Sequence, residues 1–294
     1  MEQKTNLSII IPAYNEEKSI KETINGLEKE LAKLNLNYEI IVVNDASTDK
    51  TGDVLKEISG IQIINHPYNK GYGASLKAGI GKAKFENLLF FDADGQHKPE
   101  YISEMIKYVD EFDLISGVRI GYKGPTIRQP GKKLLHWLSN YLSQQKIPDF
   151  NCGFRIVKKE QISKFAHLLC NGLSFATTTL LLFIGEGLPI KYVPITINKR
   201  KGGKSGVRPK HAFDTLILIL QTILLTSPLR VFLPMTGLLI LFVIVSFVND
   251  MIYSYHANLH ISSTTLFLSI SSVLIFFFGL LADQMAAIRK EIKK

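Results

Sequence analysis

The sequence has little cysteine, and we expect no secretory signal. Its 294 residues contain two cysteines, Cys152 and Cys170, which are too few for a disulfide framework and do not have zinc-binding spacing. We therefore expect both thiols to be reduced and structural, as in a cytosol-facing domain. The polar start of the chain runs into an apolar segment, Leu7–Ile11, that is far too short for the core of a signal peptide.

Acidic residues are too few to balance the basic ones. The 35 Lys and Arg exceed the 26 Asp and Glu, which gives a formal net charge of +9 at pH 7. This balance suggests anionic partners such as nucleic acid, acidic lipid or phosphorylated substrates, but a basic surface can equally serve solubility alone. Nucleic acid is disfavoured, because the basic residues cluster beside apolar runs rather than along a face interleaved with aromatic residues.

Long apolar runs are lacking in the first part of the chain and lie almost entirely after Phe213. Two of them, Val231–Val248 and Thr264–Ala282, carry no charge. Each run reaches the length of about 17–25 apolar residues that crosses a bilayer. We therefore expect two transmembrane helices, the alternative being a pair of buried core helices.

Lys and Arg are absent between these two runs, from Asn249 to Ser263, and frequent on their outer flanks. The positive-inside rule then predicts that both flanks are cytoplasmic and that the connector lies outside. A further apolar stretch, Phe213–Ser227, is shorter and is interrupted by polar residues. We expect it to form an interfacial helix at the level of the lipid headgroups.

The first part of the chain alternates short β-rich runs with amphipathic stretches. Short apolar runs predict buried strands, and apolar residues three and four apart predict helices. Their alternation favours a largely parallel sheet covered by helices on both faces. The predicted strands are Leu7–Pro12, Tyr38–Val43, Ile61–Ile64 and Asn87–Phe91, and the predicted helices are Glu16–Leu34, Lys50–Ile58 and Gly73–Ala83.

Polar residues follow each predicted strand, and ligands of such sheets bind beyond the carboxyl ends of the strands. The strongest signal is the pair Asp92 and Asp94 after an apolar run. Two carboxylates at this spacing present oxygen ligands to a hard divalent cation, which favours Mg²⁺ or Mn²⁺ over zinc. Gln96 can supply another oxygen. A D-x-D pair also occurs in exposed turns, and its position after a buried strand is what favours the metal interpretation.

Two further segments follow the second and third strands. Asp45 can accept hydrogen bonds from a base or ribose, whereas the hydroxyl residues after it can cap the next helix. Asn69–Gly73 opens a helix, so its backbone N–H groups and Lys70 can hold an anion. The dinucleotide fingerprint is incomplete, since Leu76 stands at its third glycine position, which argues against an NAD-binding domain.

Together these motifs resemble the family 2 glycosyltransferases of the GT-A fold. The resemblance covers about residues 7–210 and is carried by Ile9–Glu17 (IIIPAYNEE), Val42–Thr51 (VVNDASTDKT), Asn69–Gly73 (NKGYG) and Asp92–Glu100 (DADGQHKPE). Within that family the chain is similar to the dolichyl-phosphate mannose synthase and polyprenyl-phosphate glucosyltransferase branch. It departs from many relatives at Asn44, where they carry a second Asp, and this puts the contacts to the donor base in doubt.

The resemblance implies a nucleotide-sugar donor, a divalent metal ion (Mg²⁺ or Mn²⁺) and a polyprenyl phosphate acceptor, and it assigns residues to each. The residues implied to bind the nucleotide are Pro12, Tyr14, Glu16, Asp45, Lys70 and Ala93. Those implied to hold the metal are Asp92, Asp94 and Gln96, with Asp94 as the catalytic residue. Those implied to bind the acceptor phosphate are Arg119, Arg128, Arg200, Lys204 and Ser205, and those implied to support the site are Asp149 and Arg155.

Parts of the acceptor assignment leave alternatives. Asp149 and Arg155, in the segment D-F-N-C-G-F-R, can equally form a structural ion pair. The segment R-K-G-G-K-S lacks the Lys that usually follows its Ser, because Gly206 stands there. Lys204 or Arg208 would then supply that charge. Each basic residue taken alone can also be a snorkelling or headgroup-binding side chain.

We therefore predict an α/β fold with a GT-A catalytic domain whose sheet is Rossmann-like, mixed and mainly parallel. Its predicted bounds are residues 1–211, followed by an interfacial helix (212–229), a transmembrane hairpin (230–288, with crossings near 231–250 and 263–284) and a cytoplasmic basic tail (289–294). The predicted function is inverting transfer of a hexose, glucose or mannose, to dolichyl or undecaprenyl phosphate at the cytoplasmic membrane face.

Two other interpretations compete with this one. A non-catalytic membrane protein that binds nucleotide-sugar or assembles lipid-linked glycans is the alternative from another class. A processive polysaccharide synthase is disfavoured, because Trp137, the single tryptophan, is not part of a Q-x-x-R-W motif. Relatives with such an anchor can assemble, which leaves a homo-oligomer open.

Overall fold

The structure is a computed structural model that describes residues 5–121, 140–141, 146–198, 217, 220–254 and 261–292. Four of the predicted acceptor-site residues, Arg128, Arg200, Lys204 and Ser205, lie outside the described residues, as does Arg208. The chain divides into two compact units. The first comprises Met1–Asn140 with Gln145–Ile219, and the second comprises Tyr141–Gln144 with Leu220–Lys294.

The first unit contains a seven-stranded sheet with helices between its strands. The strands are β1 (Thr5–Ala13), β2 (Leu36–Asn44), β3 (Ile61–Asn65), β4 (Asn87–Phe90), β5 (Leu114–Arg119), β6 (Arg155–Lys158) and β7 (Ile190–Ile195). The helices are α1 (Ile20–Leu31), α2 (Thr51–Lys56), α3 (Tyr72–Lys82), α4 (Ile102–Ile106), α5 (Lys159–Lys164) and α6 (Phe175–Gly185), with a 3-10 turn at Pro99–Tyr101.

The strand order is β3-β2-β1-β4-β6-β5-β7. β6 runs antiparallel to its neighbours β4 and β5, and the other described pairings are parallel. The prediction of a mixed, mainly parallel sheet is therefore confirmed. Since β1, β2, β3 and β4 are parallel, their carboxyl ends meet at one edge, where the polar motifs were expected to converge.

Strand β1 lies inside the sheet, between β2 and β4, and is buried along almost its whole length from Leu7 to Ala13. Strands covered on both faces read as continuous apolar runs, as this one does. Helix α1 packs its buried face, which includes Ile20, Ile24 and Leu27, into the same core. Burying a side chain of this size contributes about 1.5–3 kcal/mol. The apolar periodicity of α1 therefore fixes the helix on the sheet.

The first predicted helix, Glu16–Leu34, begins later than expected, because α1 starts at Ile20. The residues between β1 and α1 instead form a loop, in which Asn15 has a φ of 56°. Glu16 N–H in this loop donates to the Thr51 hydroxyl at 2.9 Å. The loop between β1 and α1 is thus held by the residues that follow β2.

The described part of the second unit consists of helical residues 220–226 followed by two long helices, α7 (Leu229–Ser254) and α8 (Ser263–Ile292). Residues 220–226 are helical, and the interfacial helix expected at 212–229 stays a prediction. Pro228 follows this segment, as expected for the end of a helix.

Helices α7 and α8 pack through small residues spaced seven apart. On α8 the buried positions Thr265, Ser272, Gly279 and Ala286 follow this heptad, and a Cβ at Gly279 would lie 2.6 Å from the Cβ of Phe232 on α7. Small residues at such positions let two apolar helices approach closely. The two helices therefore form a hairpin with a specific seam.

The apolar parts of both helices face outward. Leu229–Ile252 and Ser263–Arg289 are long and apolar enough to cross a membrane, and only 6% and 17% of their most apolar windows are buried. The core helices of a soluble protein would be mostly buried, so this exposure disfavours the alternative of two core helices. The exposed surface suits lipid.

A carboxylate joins the two helices at the connector end of the hairpin. Asp250 of α7 accepts hydrogen bonds from the backbone N–H and hydroxyl of Ser262, both at 2.9 Å, and from the Thr265 hydroxyl at 2.6 Å. A carboxylate at the first turn of a helix satisfies N–H groups and complements the helix dipole. Asp250 thus caps α8 from the neighbouring helix.

Candidate active site

The loops that follow β1 and β2 are joined by hydrogen bonds. Asn15 N–H donates to the Ser47 hydroxyl at 3.1 Å, and Thr48 N–H donates to the Asn15 side-chain oxygen at 2.8 Å. Ser47 N–H in turn donates to the Asn44 side chain. The two loops therefore form one surface at the carboxyl edge of the sheet, with the Tyr14 side chain 45% exposed beside it.

Asn44 has an internal role. Its side-chain N–H donates to the Asn65 side-chain oxygen at 3.0 Å, which bridges the ends of β2 and β3. The residue is 8% exposed, so its amide is used within the protein. Asn44, which replaces the Asp of many relatives, thus donates a hydrogen bond that an ionised Asp could not donate.

The Asp45 carboxylate is buried and fastens the segment Asn69–Gly73. One oxygen accepts a hydrogen bond from the Lys70 backbone N–H at 2.8 Å and lies 2.7 Å from Nδ1 of His66. The other oxygen accepts from the Gly71 N–H at 2.8 Å. The backbone N–H groups that were expected to hold a ligand anion therefore already hold this carboxylate, and the contact of Asp45 with a nucleotide stays a prediction.

Gly71 is required in this segment for two reasons. Its φ of 98° lies in the region that favours glycine. A Cβ at this position would also lie 2.6 Å from the Asn171 carbonyl oxygen, which accepts a hydrogen bond from the Ala74 N–H at 3.1 Å. The loop at Asn171 thus packs directly on the start of α3.

Both carboxylate oxygens of Asp92 accept hydrogen bonds within the protein. The Tyr72 hydroxyl donates to one at 2.8 Å, and Nε2 of His97 lies 3.1 Å from the other. Burial opposes ionisation, but the bonds from His97 and Tyr72 outweigh it and lower the pKa of Asp92. Burial and the nearby Asp92 charge raise the pKa of Tyr72. Tyr72 therefore stays protonated and Asp92 stays ionised at neutral pH.

His97 lies in an aromatic pocket, with ring centroids 5.9 Å from Phe91 and 5.3 Å from Phe154. Its Nδ1 is buried and has no hydrogen-bond partner among the described residues. The ring therefore meets the Asp92 carboxylate through Nε2.

The segment Asp149–Arg155 approaches the Asp92 carboxylate through Gly153. A Cβ at Gly153 would lie 2.7 and 2.9 Å from the two Asp92 oxygens and 2.8 Å from the Tyr72 hydroxyl. Only a residue without a side chain allows this approach. Three of the sequence motifs therefore meet at Asp92, which fixes the direction in which its neighbour Asp94 is presented.

Asp94 and Gln96 lie in a tight turn after β4. Gln96 N–H donates to the Asp94 carboxylate at 3.0 Å, and Gly95 between them has a φ of 71°. The Ala93 carbonyl, one residue earlier, accepts from the Thr23 hydroxyl at 3.2 Å. These bonds hold the turn in place at the edge of the sheet.

The residues of this turn fit a divalent cation of the magnesium type. Within the described ranges no group of three or more His, Cys, Asp or Glu side chains is arranged to hold a metal. Mg²⁺ sites commonly use one or two carboxylates together with substrate phosphates and waters rather than a full protein cage. The oxygen ligands of Asp92, Asp94 and Gln96 match that pattern and disfavour zinc.

Arg119 and Asp149 form a bidentate ion pair, with N–O distances of 2.7 and 2.8 Å. Burial opposes ionisation of Asp149, but the hydrogen bonds and charge of Arg119 outweigh it and lower its pKa. The alternative in which Asp149 pairs with Arg155 is therefore not what the structure shows. The pair holds Arg119, a predicted acceptor residue, in one geometry at the end of β5.

Arg155 is fully buried and donates to backbone carbonyl groups. Its terminal nitrogens bond to the carbonyl oxygens of Ala176 and Phe150. Burial lowers its pKa from the ordinary arginine value, and negative groups nearby work in the opposite direction. Arg155 thus joins the segment around Gly153 to the start of α6.

Arg119→Ala is expected to destabilise the catalytic unit by about 3 kcal/mol, because it leaves the Asp149 carboxylate buried without its cation. Thermal unfolding of the purified protein measures this loss. The matched double variant Arg119→Ala/Asp149→Asn removes the stranded charge and should recover part of the stability. A single variant as stable as the wild type would contradict the structural importance of the pair.

Several residues at the site carried a sequence signal that was not assigned a role. Tyr72 and His97 stand inside the quoted segments NKGYG and DADGQHKPE, and Gly153 stands inside D-F-N-C-G-F-R. His66 follows β3 directly. Their positions at strand ends and helix starts were visible, but which carboxylate each one contacts depends on the folded loops.

The fold and the sequence were compared with known proteins. The profile described as Glycosyl transferase family 2 matches residues 8–184, and the profile described as GtrB C-terminal hairpin matches residues 227–288. An uncharacterized protein of Methanocaldococcus jannaschii is 31% identical over 233 residues, which cover 75% of this chain and 93% of that protein.

Similar solved structures include glucosyl-3-phosphoglycerate synthase from Mycobacterium tuberculosis. Its complex with uridine diphosphate aligns with a TM-score of 0.61 at 18% identity, covering 74% of this chain and 80% of that one. A complex of the same enzyme with Mn²⁺, UDP-glucose and phosphoglyceric acid aligns with a TM-score of 0.61 over the same shares. At this identity the likeness shows the GT-A fold.

The family profile covers more than half of the chain and includes the motifs that meet at Asp92. The hairpin profile covers both long apolar helices, which indicates membrane association. The predictions of the fold class and of an enzyme are thereby confirmed, and the non-catalytic alternative is set aside. The chain belongs to glycosyl transferase family 2 and is a glycosyltransferase of the GT-A fold.

Proposed function

We propose that the protein transfers a hexose, glucose or mannose, with inversion from a nucleoside-diphosphate sugar to a polyprenyl phosphate, dolichyl or undecaprenyl, at the cytoplasmic membrane face. The observation that carries the proposal is the combination of a GT-A catalytic unit with a C-terminal hairpin of a kind found in polyprenyl-phosphate glycosyltransferases. A hairpin with an apolar outer surface is suited to an enzyme whose acceptor is itself held in the membrane.

The donor assignment is supported by the edge of the sheet at which β1, β2 and β4 end. Tyr14 is exposed after β1, and the Asp92–Gln96 turn follows the neighbouring parallel strand β4 at the same edge. The similar M. tuberculosis enzyme binds Mn²⁺ with UDP-glucose. In this chain we assign the divalent ion to Asp92, Asp94 and Gln96, with Asp94 as the principal ligand, because both oxygens of Asp92 already accept internal bonds. When bound, the ion stabilises charge on the departing diphosphate.

Pro12, Glu16, Lys70 and Ala93 complete the proposed nucleotide site. The Glu16 carboxylate accepts a bond from the Ser19 hydroxyl at 2.9 Å and is buried, so it shapes the loop after β1. The Lys70 ammonium lies 5.5 Å from the ring centroid of the exposed Tyr68. The Lys70 charge thus lies at the open edge of the sheet, where it would neutralise negative charge on a bound diphosphate.

The acceptor chemistry needs little general-base catalysis. A phosphate monoester has a second pKa of about 6 and is therefore largely ionised at neutral pH. The chain's contribution is to align a phosphate oxygen opposite the leaving group and to exclude water. Asp149 need not act as a base, and its bond to Arg119 fixes a cation at the end of β5. Arg128, Arg200, Lys204 and Ser205 are proposed to complete the phosphate site, which rests on the sequence.

A turnover assay with the purified full chain tests this function. A panel of UDP- and GDP-hexoses is combined with polyprenyl phosphate, and the lipid product is identified by mass spectrometry. Two control acceptors test the phosphate and the lipid separately. The unphosphorylated polyprenol has the lipid alone, and soluble 3-phosphoglycerate has the phosphate alone. We expect product with polyprenyl phosphate alone. Product with 3-phosphoglycerate but not with the lipid would contradict the acceptor class.

The proposed topology places the catalytic unit and residues 289–294 in the cytoplasm and the connector outside. The test introduces single cysteines at Ser254 and Lys294 in a Cys170→Ser background. Cys152 can be kept, because burial raises the pKa of its thiol to about 12 and leaves it unreactive. An impermeant thiol reagent added to intact cells should label position 254 and spare position 294. Labelling of position 294 alone would overturn the topology.

A further inference from the structure

The segment D-F-N-C-G-F-R runs between a predicted acceptor residue and the metal motif. At its start, Asp149 holds the guanidinium of Arg119 at the end of β5. Further along, Gly153 packs so closely on the Asp92 carboxylate that a Cβ there would lie 2.7 Å from one of its oxygens. Asn151 is midway between these two points. Since two residues span at most about 7 Å, the Asn151 Cα lies within about 7 Å of the Cα atoms of both Asp149 and Gly153.

The Asn151 side chain is exposed, and its amide has a fixed orientation. The buried Thr177 hydroxyl, in the first turn of α6, donates to the Asn151 side-chain oxygen at 2.6 Å. The Asn151 backbone N–H donates to the Asp149 carboxylate at 3.1 Å, which holds the backbone as well. Within the described part of the chain, no group accepts a hydrogen bond from the Asn151 side-chain nitrogen. Because the amide oxygen is bound to α6, the amide presents its N–H groups to solvent.

We propose that Asn151 is a specificity-determining residue, whose side-chain N–H donates a hydrogen bond to a hydroxyl oxygen of the donor hexose. The inference rests on the proposed function, in which the donor diphosphate binds at Asp94 and Arg119 binds the acceptor phosphate. During transfer the anomeric carbon exchanges its bond to the departing diphosphate for a bond to an acceptor oxygen, so the hexose lies between the two phosphates. Asn151 lies between the residues that contact these two places. Its uncharged donor suits a hydroxyl group, whereas the phosphates are met by cations.

Isothermal titration calorimetry in Mg²⁺ tests this contact by comparing UDP-glucose with UDP, and GDP-mannose with GDP. In Asn151→Ala, the Kd of the sugar nucleotide that the protein binds should rise about three- to tenfold, the range expected for losing one hydrogen bond. The Kd of the matching free nucleoside diphosphate should stay within about twofold, which also shows that the variant is folded. Asn151→Asp keeps the oxygen that accepts from Thr177 and loses the outward N–H groups. Its added charge acts on both ligands, so the ratio of the two Kd values reports the lost donor and should again rise.

Asn37→Ala is the matched control. Asn37 is an exposed residue near the start of β2, and its amide donates to the Asn6 side chain at 2.9 Å. Both Kd values should therefore match the wild type. Equal changes of the two Kd values in Asn151→Ala, or no change in either, would overturn the inference. A wild type that binds the donor but makes no lipid product would instead overturn the proposed function, while the ratio of the two Kd values would still decide the role of Asn151.

Discussion

Asp94→Asn is expected to reduce sugar transfer by about 100- to 1000-fold, the size of effect seen when one group that stabilises developing charge is removed. The amide keeps the shape of the side chain and its bond from Gln96 N–H, but it binds a divalent cation far more weakly than a carboxylate. Asp92→Asn should reduce metal-dependent transfer less than Asp94→Asn, because the Asp92 carboxylate is engaged by Tyr72 and His97. Initial rates measured across a Mg²⁺ and Mn²⁺ titration give both values.

A matched control is Asp53→Asn, which alters an exposed carboxylate whose partner is Lys56 at 2.9 Å. This variant should keep the wild-type rate and the wild-type metal dependence, since the residue lies on α2 and not in the turn after β4. Thermal unfolding verifies that Asp94→Asn is folded. Full activity of Asp94→Asn in the presence of a chelator would show that Asp94 has no metal role.

Gly153→Ala is expected to lower kcat by about 10- to 100-fold while the protein still folds. The added Cβ would meet both Asp92 oxygens and the Tyr72 hydroxyl at 2.7–2.9 Å, so these groups must separate. Small displacements of groups that align a reaction have effects of up to about 100-fold. Overpacking of this kind also destabilises by about 1–3 kcal/mol. Steady-state kinetics and thermal unfolding measure the two effects separately.

Gly81→Ala serves as the control for the added methyl group. Gly81 lies in α3, and a Cβ there would meet nothing within 4 Å. Alanine in a helix interior is more favourable than glycine by about 0.5–1 kcal/mol, so this variant should be slightly more stable and fully active. If Gly153→Ala behaved like Gly81→Ala, the close packing of the three motifs on Asp92 would be unimportant for catalysis.

The hydrogen bonds at Asp92 give the site a defined state of charge. Its carboxylate accepts a hydrogen bond from a tyrosine whose own pKa is raised, and it lies within hydrogen-bond distance of the His97 ring. Both contacts favour the anion. The site therefore keeps its negative charge for a divalent cation, while the cation of Arg119 is paired separately with Asp149.

The sequence by itself determined the order and type of the first elements and the presence of the hairpin. Apolar runs such as Leu7–Pro12 are buried because both faces of a central parallel strand are covered, and this pattern is legible without coordinates. The uncharged runs Val231–Val248 and Thr264–Ala282 are also legible without coordinates, because length and apolarity are the features that a membrane-spanning helix requires. The D-A-D motif and its position after a strand were equally visible.

The strands β5, β6 and β7 were not predicted, although β5 and β7, with six residues each, are longer than the predicted strands β3 and β4. The antiparallel direction of β6 arises from pairings with β4 and β5, residues far away in the chain. Such pairings join segments that are distant in the sequence. Local periodicity carries no information about which of them pair.

Only the tertiary structure decided how the motif residues are used. The sequence offered Asp45 as a ligand for a base and Asn69–Gly73 as a cradle for an anion, and the fold joins the two to each other. It offered Asp149 with Arg155 as an ion pair, and the fold pairs Asp149 with Arg119 instead. From the sequence alone, each of these carboxylates can pair with any of several donors. Which of them meet depends on distances between loops from different strands, and those distances exist only once the sheet has formed.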